Sequence, residues 1–248
     1  MIEVQLGNAA AAIAPMSRAI ALDDGNSTFH FNRALAYQAM GDRDQAIAGY
    51  RRASELKPDY GSALTNLGNL LLHAGAAVEA EDCDRRLLRL NPDNPTAHNN
   101  LGVVHAARGR YDLAADAYQR VISVAPELAM AYHNLGVARG KLGDTDGAIN
   151  AYRQAVQLED NNNYTEPPDW SQSMRLYLGA ALLDAGRPVD AEAVFRRDLE
   201  WNQQSGWATY GLYQALLAQE RAVEAAIVNR QFQSLWRNAD VVLERSRL

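Results

Sequence analysis

Small and apolar residues return along this chain every 34 residues, at matching places in the consecutive windows Ser27–Tyr60, Gly61–Asn94, Pro95–Leu128 and Ala129–Asn162. The eighth position reads Ala34, Gly68, Gly102 and Gly136, and the twentieth reads Ala46, Ala80, Ala114 and Ala148. Leu67, Leu101 and Leu135 occupy the seventh, while the twenty-fourth holds Tyr50, Asp84, Tyr118 and Tyr152. Between these apolar sets come Gly41, Gly75, Gly109 and Gly143 at position 15, then Pro58, Pro92, Pro126 and finally Asp160 at position 32. Apolar residues at helical spacing before and after each glycine predict two helices per window, here A and B. Glycine ends helix A because it takes the left-handed conformation without a Cβ penalty, and proline cannot continue helix B. The small residues at positions 8 and 20 belong where A and B cross, since a close-packed crossing tolerates little extra volume.

A fixed period of this length is the mark of a solenoid. The pattern resembles the tetratricopeptide repeat family, and the resemblance covers nearly the whole chain. It implies an all-α fold, a superhelix of antiparallel helix pairs with about five full repeats, a degenerate sixth and a capping helix. Residues 1–26 read as a truncated repeat, the end of a helix A followed by a helix B. Met1 falls at position 9 of the same frame, so further repeats are expected upstream. Residues 27–162 hold four repeats, and Asp84 in the place of an aromatic predicts a looser joint in the second. Residues 163–171 form an insert whose Pro167 and Pro168 forbid helix. The fifth repeat occupies 172–203, with Leu178, Gly179, Gly186, Ala191 and Phe195 in place. The last block, 204–248, is a degenerate repeat with Ala218 where glycine belongs. It ends in an amphipathic cap of Val228, Phe232, Leu235, Trp236, Ala239, Val242 and Leu243. The segments "EPPDW", "LGAALLDAGRPVDAEAVFRRDL", "SGWATYGLYQAL" and "WRNAD" also resemble the ends of bacterial tetratricopeptide proteins of unassigned function.

Position 6 carries the main functional candidate. It reads Asn32, Asn66, Asn100 and Asn134, an asparagine in each of the four repeats. The resemblance implies that helix A lines a concave groove with position 6 pointing into it. A side-chain amide donates and accepts, so a column of them can pair with the C=O and N–H groups of an extended peptide. The column resembles the asparagine ladder in the repeat arm of O-linked N-acetylglucosamine transferases. The other reading is a structural one, in which these asparagines bond neighbouring helices. Asn69, Asn99, His133 and Lys141 complete the predicted lining, which is polar and mostly uncharged. The insert adds Tyr164, Glu166 and Trp170, as a brace between repeats or a plug in the groove.

Charge and composition narrow the choice. A net charge of −6 argues against nucleic acid. The lone Cys83 excludes an internal disulfide framework and suits the reducing cytoplasm. No apolar run reaches the roughly 20 residues that span a bilayer. An arginine column on helix B (Arg51, Arg52, Arg85, Arg86, Arg120, Arg153, Arg196, Arg197) fits a salt-bridged surface, with a phosphate or acidic partner as the alternative. The five histidines lack ligand spacing, so no metal is expected, and no phosphate loop or nucleophile elbow predicts a cofactor or catalysis. The expected function is a non-catalytic protein-interaction scaffold that binds an extended peptide or disordered segment. The alternatives are the substrate-recognition arm of a larger enzyme such as a glycosyltransferase, and a scaffold that self-associates through its incomplete first repeat.

Overall fold

The computed structural model describes residues 9–161 and 173–237, and these contain helices and no strand. They fall into two compact units divided after Val124. The first holds α1 (Ala9–Leu22), α2 (Ser27–Ala39), α3 (Arg43–Leu56), α4 (Gly61–His73), α5 (Ala77–Leu90), α6 (Pro95–Ala107) and α7 (Tyr111–Val124). The second holds α8 (Ala129–Lys141), α9 (Thr145–Asn161), α10 (Met174–Asp184), α11 (Pro188–Trp201), α12 (Gly206–Ala218) and α13 (Ala222–Leu235). Within each unit, successive helices pack as antiparallel pairs and each pair stacks on the next. The insert residues Tyr164, Glu166 and Trp170 lie outside the described residues, as do Ala239, Val242 and Leu243 of the expected cap. Among described residues the last helix ends at Leu235, and Trp236 turns its ring onto Gly206 and Trp207.

The turns form where the glycines stand. Gly41, Gly75, Gly109, Gly143 and Gly186 all have φ between 67° and 80°. In the sixth repeat that conformation falls on Glu220, at φ 59°, two residues beyond Ala218. Helix A of this repeat therefore starts at Gly206, so its frame is displaced by two residues from the one counted from Gln204. Asn94 shows how the chain re-enters a helix: its Oδ1 accepts from Ala97 N at 2.9 Å, and Pro95 occupies the first helical position, where no N–H is needed.

The two helices of a repeat meet ring against glycine. A Cβ on Gly102 would stand 2.4 Å from the Tyr118 ring, and one on Gly136 would stand 2.7 Å from Tyr152. Phe195 covers two glycines, Gly179 on its own helix pair and Gly211 on the next, where an added Cβ would stand 2.4 and 2.3 Å from its ring. All three rings are buried. In the first of the four regular repeats, small meets small, with Gly49 against Ala34. Arginines of the helix B column pair both across repeats and within their own helices. Arg51 reaches Glu79 at 2.8 Å, Arg52 reaches Asp24 at 3.0 Å, and the buried Glu81 takes both Arg85 and Arg108. In the second unit Glu192 takes Arg196 and Arg221 in the same way. Burial works to raise the Glu81 carboxyl, but the Arg108 hydrogen bond and the charges of Arg85, Arg108 and Arg110 outweigh it and hold it below the usual range.

Asp84 breaks the ring pattern and is nonetheless fully buried. Its Oδ1 accepts from Asn100 Nδ2 at 3.3 Å, while Oδ2 is buried with no hydrogen-bond partner. Burial pushes its carboxyl up to about 7, against the Asn100 bond, which favours the ionised form. Asp198 in the second unit is buried and raised for the same reason, opposed by Ser173, Asn202 and Arg175.

Four outcomes are expected. Gly102→Ala forces the boxed-in Tyr118 ring aside and costs about 1–3 kcal/mol in denaturant unfolding, more than its helix-propensity gain. Gly68→Ala, whose nearest neighbour is Asp84 Oδ1 at 3.2 Å, costs less. Glu220→Gly relieves a left-handed non-glycine residue and raises stability by about 1 kcal/mol in the same assay. Because the folded Asp84 value lies above the unfolded value near 4, its stabilising contribution is complete below about pH 4 and is lost as pH rises through about 7. Asp84→Asn removes that part of the pH dependence and leaves the part due to Asp198.

Candidate functional site

Two position-6 asparagines of the first unit, Asn66 and Asn100, face backwards onto the preceding repeat. On α4, the Asn66 side chain hydrogen-bonds the Tyr50 hydroxyl, which itself donates to Gln38 Oε1 at 2.6 Å. On α6, Asn100 is buried at 4 % exposure and donates from Nδ2 to Asp84 Oδ1 and to Asn69 Oδ1, the latter at 2.8 Å. Position 6 of one repeat thus meets position 24 of the repeat before it at both joints. The joint at Asp84, expected to be looser, has this polar contact in place of a ring. Burial raises the Tyr50 phenol to about 12, so it stays neutral and available as a donor.

The remaining candidates take different places. Asn32 on α2, Asn69 on α4 and Asn99 on α6 are half-buried, as are His133 and Asn134 on α8, whereas Lys141 is exposed at the end of α8. His133 packs against Tyr177 with ring centroids 4.3 Å apart and against Tyr152 at 5.8 Å. Asn66, Asn69 and Asn100 are the three that the first unit brings together. Other histidines serve as local caps: His30 Nε2 lies 3.0 Å from Asp24 O, and His98 Nε2 lies 2.8 Å from Pro92 O. Among the described residues, no three His, Cys, Asp or Glu side chains form a group that could hold a metal ion. No described helix is long and apolar enough to cross a membrane.

Asn66 also borders an open cleft of about 440 Å³ in the first unit. The first turns of α4 supply Ser62, Thr65 and Asn66, and the end of α5 supplies Leu87 and Leu90. Asn91 and Asn94, from the turn into α6, complete a wall of amides around this apolar floor, with Asp59 as its one charged residue. Leu90 is 48 % exposed. Sequence reasoning passed over Leu87, Leu90, Asn91 and Asn94 because each has an ordinary structural explanation, the end of a helix or a cap. Their signal was the i, i+3 leucine pair running into two asparagines at the mouth of a helix A.

Known proteins match this chain along most of its length. One tetratricopeptide repeat model fits residues 31–95 and 133–203, and a second fits residues 93–158. The small glutamine-rich tetratricopeptide repeat-containing protein 2 of Mycosarcoma maydis is 36% identical over 70 residues, which is 28% of this chain and 20% of that protein. The matched part therefore spans a fifth of that relative. The crystal structure of MamA superposes with a TM-score of 0.59 at 25% identity, over 62% of this chain and 90% of that one. YrrB, described as a tetratricopeptide repeat protein with an unusual peptide-binding site, superposes with a TM-score of 0.59 at 17% identity, over 87% of this chain and 97% of that one. At that identity the likeness concerns the fold alone. With its helix pairs, its left-handed turns and more than half its length matched by one family model, the chain belongs to the tetratricopeptide repeat family.

Proposed function

We propose that this protein is a non-catalytic interaction scaffold whose helix A face binds an extended peptide or disordered segment. The observation that carries the reading is the cleft between α4 and α5. Its amides can meet the alternating C=O and N–H groups of a peptide backbone, and Leu87 and Leu90 offer a floor for one apolar side chain. The lining carries one charged residue, Asp59, and the helix B arginines Arg51, Arg52 and Arg85 are held on carboxylates. Recognition through backbone groups is tolerant of sequence, so affinity accumulates over several contacts. YrrB supplies a precedent for peptide binding on this fold.

The structural reading of the position-6 asparagines and the peptide-binding one are compatible. Asn66 can brace Tyr50 with one end of its amide and present the other to the cleft. Asn100, with both amide hydrogens occupied, contributes through Asn69. In the second unit, Asn134, His133 and Lys141 on α8 are proposed to form a lining of the same kind.

Selection from a displayed library of random unstructured peptides tests this. Peptides enriched on the wild type are expected to lose at least about tenfold in affinity on Asn66→Ala and on Leu90→Arg, roughly the worth of one net hydrogen bond or one buried side chain. Leu90 is exposed, so its replacement leaves the core intact. Enriched peptides that bind the wild type and both variants equally would overturn the reading.

A further inference from the structure

The buried set Asp84, Asn100 and Asn69 is a chain of groups in which each hydrogen bond fixes the direction of the next. Asn100 Nδ2 has two hydrogens, and both are used: one on Asn69 Oδ1 at 2.8 Å and one on Asp84 Oδ1 at 3.3 Å. The carbonyl of Asn69 is therefore turned inward, and its NH₂ group is the end left for a ligand. Asn69 is half-buried and lies one helical turn from Asn66 on the same face of α4. We infer that the proton on Asp84 sets the direction of this relay, so that the carboxyl decides whether Asn69 offers a ligand N–H donors or a carbonyl acceptor. The inference rests on the groove reading above and assigns Asp84 and Asn100 to it as positioning residues.

The hydrogen-bond inventory carries the argument. An ionised Asp84 only accepts, which requires Asn100 to point Nδ2 at it. Protonation adds one O–H donor. Left on Oδ2, that donor would sit buried with no partner, because Oδ2 has none. On the oxygen facing Asn100 it would confront an N–H group, donor against donor. Half-turns of the Asn100 and Asn69 amides resolve the conflict: Asn100 Oδ1 then accepts from Asp84 and from Asn69 Nδ2. The bonds return with reversed polarity, a single proton is taken up at Asp84, and Asn69 shows its carbonyl to the ligand.

The surroundings leave the switch to this one group. Asp84 carries the burial shift described above, and Asn100 is the one side chain that opposes it. On its own helix, Cys83 is pushed up to about 11 by burial and by the Asp84 charge, so it stays a thiol. Arg86 turns to Ser54 O and Pro58 O, and Arg85 is bound to Glu81. From α4 come Gly68 and Asn69, with His73 exposed at the far end. From α6 comes Asn100, while His98 is held on Pro92 O and His105 is lowered by burial and by Arg110.

Side-chain amide hydrogen exchange in the ¹⁵N-labelled full chain, without ligand, reads the direction of the relay. At about pH 8.5 the Asn100 NH₂ group is expected to exchange about tenfold slower than its intrinsic rate, as one net hydrogen bond requires. At about pH 5.5 that protection passes to the Asn69 NH₂ group, with a midpoint near 7. Asp84→Asn abolishes the pH dependence at both residues, and Asn69→Ala leaves the change at Asn100 in place. Protection that stays on Asn100 at both pH values, or a change that persists in Asp84→Asn, would overturn the inference. Since no peptide is present, its failure is separate from failure of the groove reading, which the library selection decides.

Discussion

Everything else in this molecule follows from how closely the two helices of a repeat approach at position 8. Where that position is glycine, the facing residue at position 24 can lay an aromatic ring flat on bare backbone, as Tyr118 does on Gly102 and Phe195 on Gly179. One methyl group would occupy the space of the ring. The contact fixes the spacing of the pair, and the same ring or its hydroxyl then meets the next helix A. Phe195 reaches Gly211 in this way, and Tyr50 meets Asn66. A solenoid has no central core, so its stability is a sum of such neighbour terms. The residue at position 24 serves two interfaces at once.

This double service explains why Asp84 is tolerated. Loss of the ring leaves Gly68 without its usual cover, and a buried carboxylate alone would be costly. Asn100 compensates because position 6 already faces position 24 across the joint. The joint exchanges an apolar contact for a charge-assisted one and becomes sensitive to pH in the process. Asn100 is drawn into the interior, and the half-buried Asn69 accepts its second hydrogen bond.

Much of the fold was legible from the chain, because glycine, proline and alanine act through their own backbone or volume and need no partner to be interpreted. The left-handed turns at Gly41 to Gly186 are of this kind. The turn at Glu220 was not legible: a non-glycine residue in that conformation carries no mark in the sequence, so the frame was counted to Ala218, where α12 merely ends. The asparagine column was visible, but its partners were not. Periodicity assigns a residue to a helix face, whereas what an amide meets there depends on the side chain across the joint, Tyr50 in one repeat and Asp84 in the next. Leu87 and Leu90 went unnoticed for a related reason, since a leucine at a helix end reads the same whether it faces a cleft or a core.

Charge placement completes the argument for a backbone-reading surface. The helix B arginines could have made a phosphate-binding strip, yet Arg51 and Arg52 each meet a carboxylate of a neighbouring repeat, and Arg85 meets Glu81 on its own helix, which also takes Arg108 from the end of α6. The exposed pairs are individually worth little, but each one cancels a long-range field that would otherwise favour anionic partners. What remains on the α4 face is a set of neutral dipoles whose direction is fixed by buried neighbours. A dipole fixed in this way selects on the polarity of a single backbone group, C=O or N–H, and is indifferent to side-chain identity. Such a surface gains specificity from the order in which donors and acceptors appear along it. On the proposed reading, a change in the orientation of one amide would therefore alter the register in which a peptide can lie, with no change in the shape of the face.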